Sequence, residues 1–384
     1  MKKKTLIIII LGLVFVFRLL GAQTWEPTKR LTWSSGSSVY PATAIGPNNH
    51  IHLAWRDETP GNQEIYYKKS TNGGVNWIGA KRLTWNSGGS HNPDISVDSS
   101  NNIHVVWYDE TPGNFEIYYR RSTNGGVGWS AVKRFTWTSG DSFDPVVATG
   151  SVGNVHVVWY DETPGNFEIY YKRSTNGGIS WSAAKRLTWF SGNSYAPVIA
   201  ADSGGNIHLV WQDDNPGNSE IYYKRSTNSG LTWGGIRRLT WTSGGSFNPF
   251  IVLDQYNTIH LVWNDNTPGN QEIYYKVSTN AGVSWFGTKR LTWNSGVSLC
   301  PIISVDLNDY IHIIWADHTT GVSEIFYKRS TNGSSTWGSA KRLTWASGGS
   351  YTSDITVDSS DNIHVVWANP SSSRYQIYYK KAIQ

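Results

Sequence analysis

The sequence predicts an all-β chain: a seven-bladed β-propeller of four-stranded blades, closed by the N-terminal strand completing the last blade. Three observations carry this. The 21 Trp fall into three sets of seven, and each set steps by 52 residues. Each 52-residue unit reads as four short segments rich in β-branched and aromatic residues, with turn residues between them. The last copy ends one strand short, and the N-terminus begins with that strand.

Met1 to Ala22 reads as a secretory signal peptide, with Lys2–Lys4 as its charged start and an apolar run of 12 residues from Leu6 to Phe17. That run is short for a membrane span of about 20 residues. Gly21-Ala22 supplies small residues for cleavage, leaving Gln23 first; Arg18 and the bulky Leu20 keep an uncleaved anchor as the alternative. The chain thus divides into a signal peptide over 1–22 and a propeller over 23–384, expected to be secreted (extracellular or periplasmic), with no membrane span after leader removal. The leader holds four of the 33 basic residues and no acid, so 29 basic residues face 28 acidic ones in the remainder. That balance of +1 argues against nucleic acid as a partner. One Cys excludes a disulfide scaffold, and the single Met is the initiator.

Lys-Arg-Leu-Thr-Trp, with Phe135 and Arg237 as single replacements, ends at Trp33, Trp85, Trp137, Trp189, Trp241, Trp293 and Trp345. Ile-His-x-x-Trp ends at Trp55 and its six counterparts up to Trp367; the third set runs from Trp25 to Trp337. In the second unit the strands read as Pro93–Val97, Ile103–Trp107, Glu116–Arg121 and Trp129–Trp137. A Trp buries about 150–250 Å², so three per blade are expected to dominate the contacts between blades. The segment Trp25–Trp33, spaced like Trp77–Trp85, is expected to complete blade seven and remove an open edge.

Between the third and fourth strands lies Ser-Thr-Asn-Gly-Gly-x-x-Trp, at Ser70–Trp77, Ser122–Trp129 and Ser174–Trp181, with variants at Ser226–Trp233, Ser278–Trp285 and Ser330–Trp337. This resembles the Asp-box, or bacterial neuraminidase repeat, of the sialidase-like propellers, and the resemblance covers the whole chain after the leader. Asn replaces the family's Asp at Asn72, Asn124, Asn176, Asn228, Asn280 and Asn332. The resemblance implies a structural hairpin far from the active face. For a sialidase it also implies an arginine triad, one member in an Arg-Ile-Pro motif, with a Tyr–Glu nucleophile pair and an acid Asp. No Arg-Ile-Pro occurs, and only Arg56 and Arg374 fall near the face opposite the box. Two arginines do not make a triad, so no catalytic residue is assigned.

The repeated His of the second strand, His52 to His364, reads as a hydrogen-bond device; one per blade in mid-strand does not converge on a metal, and no metal or cofactor is expected. Glu64 and its counterparts are expected to pair across the hairpin with the fourth-strand Arg, as Glu64 with Arg82. Asp57, Asp109, Asp161, Asp213, Asp265 and Asp317 follow the second-strand Trp at the start of the loop to the third strand. Together with the Trp-x-Ser-Gly-x-Ser loops they gather carboxylates, amides, hydroxyls and aromatic rings, a mixture suited to sugars, or else simply begin Asx turns. The copies differ most on that face, where Phe143, Tyr195 and Phe247 stand two residues before the first-strand proline. Cys300, also there, reads as a buried small hydrophobe.

The expected function is a secreted, non-catalytic monomer that binds a ligand, most readily a glycan, through this face. The ligand residues would be the six Asp together with Phe143, Tyr195 and Phe247. The alternatives are a protein-interaction or structural scaffold that binds a cell-surface protein, and an exo-sialidase-like glycoside hydrolase, which would need one asymmetric cluster of carboxylates in the channel.

Overall fold

A computed structural model describes residues 23–384 except Val152, Pro216 and Ser372, so the reading of residues 1–22 as a leader lies outside it. It shows seven antiparallel sheets arranged as blades, with no helix among the described residues. Blade two is representative: Ser90–Val97, Ile103–Asp109, Glu116–Ser122 and Lys133–Arg134, paired in that order. First strands of successive blades pack on one another around the central channel, which leaves each fourth strand outermost.

Blade seven closes as expected. Tyr351–Val357, Ile363–Ser371 and Arg374–Ile383 are completed by Thr24–Trp25 and Lys29–Arg30, which pair with the last strand through Trp25 against Ala382 and Arg30 against Tyr378.

Two strands differ from their expected bounds. The fourth is not a continuous strand from Trp129 to Trp137 but only Lys133–Arg134. Beyond it the backbone amide of Ile117 donates to the side-chain hydroxyl of Thr136 at 2.8 Å, so a side chain rather than the main chain carries the pairing onward. The first strand begins three residues before Pro93, at Ser90, because a β-bulge admits the proline: His91 pairs with Tyr108 and Asp94 with Val106, which leaves Asn92-Pro93 opposite Trp107 alone. A proline lacks the N–H that a regular ladder would need, and a bulge does not ask for it.

The three Trp sets do different work. The second-strand set is buried to 0–1% exposure and fills the blade cores. The set beginning at Trp25 is half-buried, each indole meeting a Tyr of the preceding blade edge-on at 4.9–5.4 Å, as Trp129 meets Tyr67. The set at Trp33 is 61–71% exposed, which corrects the expectation that all three pack between blades. Its neighbours Leu83 and Thr84 point inward, and the turn that follows leaves Trp85 outside.

The Tyr is the node between blades. The Tyr67 hydroxyl lies 2.7 Å from His52 Nδ1 in its own blade, while its ring meets Trp129 of the next. A Cβ on Gly126 would come within 2.4 Å of that hydroxyl, so the second glycine of the box leaves room for it as well as supplying φ +84.

Candidate functional site

The loops joining second to third strands and those joining one blade to the next lie at one end of every blade, opposite the Ser-Thr-Asn-Gly turns. They are tied together: Asn62 Nδ2 donates to the carbonyls of Asn86 and Gly88 at 2.8 and 3.0 Å. This end forms the candidate face.

Asp57, Asp109, Asp161, Asp213, Asp265 and Asp317 lie just beneath it, 0–3% exposed. In blade one, Asp57 Oδ1 accepts from the Thr59 amide at 2.9 Å, and Oδ2 accepts from Ser38 Oγ at 2.7 Å and from the Trp55 indole at 3.1 Å. The Ser and turn-amide bonds recur in the other five blades. These carboxylates shape the loop from below and have most of their acceptor capacity taken up within the blade.

The Glu–Arg pairs are present in six blades at 2.6–2.9 Å, each Glu carboxylate buried. The seven repeated His each share a hydrogen bond with a Tyr hydroxyl at 2.7–2.8 Å. Desolvation lowers five of these imidazoles: His52 to about 3, His156 and His208 to about 4, and His312 and His364 likewise downward. No cluster of metal-ligating side chains occurs among the described residues.

Phe143 and Tyr195 are half-buried members of one aromatic belt across blades two to four. Phe115 meets Phe143 at 5.1 Å, Phe143 meets Tyr160 at 5.6 Å, Tyr160 meets Phe167 at 5.2 Å, and Phe167 meets Tyr195 at 5.5 Å. Phe247 lies against Gly245, where a Cβ would approach its Cζ to 2.3 Å.

Closer to the axis is a feature that the sequence reading missed. The bulge puts one non-glycine residue per blade into the left-handed region, at φ 39–53: Tyr40, Asn92, Asp144, Ala196, Asn248, Cys300 and Thr352. Such a conformation costs on the order of 1–3 kcal/mol and persists only where its surroundings impose it. Here the packed ring of first strands imposes it seven times at the channel mouth. Cys300 is exposed there, which corrects its reading as a buried hydrophobe.

Chemistry at this mouth is uneven. Two residues along from the ring, blades two and seven carry Asp94 and Asp354, where the others have Ala42, Val146, Val198, Phe250 and Ile302. Asp94 Oδ2 accepts from the Val147 amide at 2.7 Å; Asp354 Oδ2 accepts from the Thr43 amide and hydroxyl at 2.6 and 2.8 Å. Asp144 accepts from Asn92 at 2.9 Å and from Tyr160 at 3.2 Å. All three open partly onto the narrow channel yet are enclosed by protein, and desolvation raises each carboxyl: Asp94 to about 7, with the charge of Asp354 adding to the rise, and Asp354 to about 6.

Between blades seven and one opens a cavity of about 480 Å³, walled by Tyr40, Arg56, Glu58, Tyr351 and Tyr375 among others. The Arg56 guanidinium lies 4.9 Å from the Tyr40 ring centroid and 3.3 Å from Glu58. Arg374, the other arginine noted near this face, is exposed on the blade-seven hairpin and does not line the cavity. Blades seven to three therefore bring carboxyls, a guanidinium and phenols to one sector, while blades four to six present Ala196, Asn248 and Cys300 around a smaller cavity of about 230 Å³ that Asp144 borders on one side. The signal was present in the repeat alignment, as two acids at a position otherwise apolar.

Comparison with solved structures shows that the fold is shared with known proteins. A polysaccharide lyase described as an ulvan lyase, solved bound to a GlcA(1-4)Rha3S unit, superposes with a TM-score of 0.65 at 11% identity, covering 91% of this chain and 95% of the lyase. A protein of unknown function from Dyadobacter fermentans gives 0.60 at 12% identity, covering 95% and 100%. A sialidase from a Hadza microbial source gives 0.53 at 14%, covering 87% and 73%. No protein-family model matches the sequence, and a comparison with curated proteins finds no match. At these identities the likeness is one of fold.

Proposed function

We propose that this chain is a secreted, non-catalytic propeller that binds carbohydrate, and that the ligand seats in the polar sector of the channel mouth. One observation carries the reading: where the loop face meets the channel the repeated blades present dissimilar side chains, and carboxyls, a guanidinium and phenols gather in one sector. A rigid scaffold that varies at a concave, partly aromatic surface is the usual form of a small-ligand site. Tyr40, Tyr351 and Tyr375 offer faces and edges to a pyranose ring. Arg56 and Glu58 donate to and accept from its hydroxyls. The buried Asp of six blades serves by holding the loops, and Phe143 and Tyr195 extend the surface to neighbouring blades. That propellers of this shape include a sialidase and a polysaccharide lyase supports sugar as the ligand class. A glycan-array screen of the purified chain, repeated with Arg56→Ala and Tyr351→Ala, tests it. Binding to defined oligosaccharides that weakens in both variants is expected; a blank array, or binding that neither change disturbs, sinks the reading.

A second reading is favoured by Asp94 and Asp354. Two carboxyls held near neutral pKa in a channel suit general acid–base work on a glycosidic bond. Turnover of a sugar substrate that Asp94→Asn abolishes, with the melting temperature kept, would replace binding by catalysis.

A further inference from the structure

Trp33, Trp85 and their five counterparts lie three residues beyond the outermost strand of each blade and stand 61–71% exposed. Large apolar side chains seldom sit so openly, and a regular set of them marks an interaction surface. The residue that follows takes five identities across the copies (Ser34, Asn86, Thr138, Phe190, Thr242, Asn294, Ala346), while the indole is present in all seven.

Each indole lies beside the Arg of its own blade, and five of the seven (Trp33, Trp85, Trp189, Trp293 and Trp345) also meet a cation of the next blade. Arg82 of its own blade lies 5.8 Å from the Trp85 ring centroid, and Arg120 of the next blade lies equally far. Trp33 has Arg30 at 5.7 Å and Lys68 at 5.9 Å; Trp293 has Arg290 at 5.6 Å and Lys328 at 5.7 Å. The two kinds of cation differ. Arg82 and five counterparts are neutralised by a buried Glu. The cation from the following blade has only backbone carbonyls: Lys68 donates to Leu31 O at 2.8 Å, Lys328 to Leu291 O at 2.7 Å and Arg120 to Leu83 O at 2.5 Å. Among the described residues no ion pair joins these cations to a carboxylate. Five grooves thus carry an open indole beside a cation that no carboxylate pairs, and that cation is itself buried only at Lys224.

We propose that this circumference is a ring of repeated binding sites for an acidic polysaccharide, a sugar chain bearing carboxylates or sulfates. The apolar face of a sugar ring stacks on the indole, and its acid group meets the unpaired Lys or Arg. Single sites are weak, and a polymer spanning several gains by effective concentration. These sites are separate from the channel mouth, so either proposal stands without the other.

Affinity electrophoresis of the purified chain through gels carrying polygalacturonate, dextran sulfate or neutral dextran tests this. Retardation by an acidic polymer and none by dextran is expected, weakening as salt rises; the two acidic arms tell carboxylate from sulfate. The combined change Trp85→Ala, Trp189→Ala and Trp293→Ala should lower apparent affinity about tenfold or more while the melting temperature holds, since these rings are exposed. Lys68→Gln with Lys328→Gln should weaken it with every indole in place. Equal retardation by dextran, no retardation by either acidic polymer, full affinity in both variants, or a stronger preference for single-stranded DNA overturns the proposal. None of these changes touches Arg56 or Tyr351, so binding at the channel mouth is read independently on the glycan array.

Discussion

Gln376 and Thr32 are 344 residues apart in the chain, and their side chains meet at 3.0 Å, the Thr hydroxyl donating to the buried amide oxygen. Gln376 stands where the other six blades have Glu, at the seam where the N-terminus completes blade seven. Its amide also accepts from the Ser34 backbone N–H and donates to the carbonyls of Ser34 and Gly36, and Arg30, lacking a carboxylate here, donates instead to Ser371 at 3.0 Å.

Gln376→Ala is therefore expected to cost about 1–3 kcal/mol by leaving buried partners unsatisfied. Gln376→Glu should be tolerated, because Arg30 can then pair as Arg82 pairs with Glu64. Deleting Gln23–Trp33 should expose an edge and bring aggregation. Urea melts and light scattering check all three; a deletion variant that stays monomeric with an unchanged midpoint would refute the seam's role.

Acid should weaken the fold before it titrates most carboxylates. An unfolded His binds a proton near its ordinary 6.5, whereas His52, His156 and His208 remain neutral until about 3 to 4. Between those limits the unfolded chain holds more protons, so stability falls as pH falls. Asp94 and Asp354 act in the opposite sense between 3.8 and about 7 or 6, because there the folded state holds the extra proton. Burial lowers seven histidines (His50, His52, His91, His156, His208, His312 and His364) and raises four carboxyls (Asp94, Asp144, Asp213 and Asp354), so the histidines prevail and leave a net loss from pH 6.5 to 4. Calorimetry across that range should show it, and His156→Gln should flatten the slope; a melting temperature that rises on acidification would contradict the assignment.

Asp161→Asn should destabilise rather than abolish ligand binding. It replaces an oxygen that accepts from Ser142 at 2.7 Å and from the Trp159 indole at 3.4 Å by an amide nitrogen, or else turns that nitrogen against the Thr163 N–H. The loss is on the order of 1–3 kcal/mol. Blade seven carries Asn369 at this place, so the fold itself should survive. Thermal melts paired with binding assays decide between the two effects, and a variant that melts as before but no longer binds would make the carboxylate a ligand contact.

Asn124→Ala, at the turn on the opposite face, should cost about 1 kcal/mol. The Asn124 carbonyl accepts from the Gly128 N–H at 2.7 Å and from Ser122 Oγ at 3.0 Å, and both bonds are lost. Glycan binding should not change; a binding loss without a stability loss would move the functional face to this end.

Repetition let the sequence by itself determine the architecture. A 52-residue period repeated seven times fixes blade number, strand order and the closing strand, because every blade must bury both faces against copies of itself. The Glu–Arg pairs and the structural role of the histidines were legible for the same reason: adjacent strands place them at set distances along the chain. The exposed indoles, the bulge and the carboxyl sector were decided only by tertiary structure. Whether Trp85 faces core or solvent depends on a two-residue outer strand whose pairing passes to the hydroxyl of Thr84. Asp94 and Asp354 lie 260 positions apart in the numbering and reach one channel only because the blades close into a circle. Their raised pKa values belong to that enclosure: the same aspartates on an open strand would be solvated and ordinary.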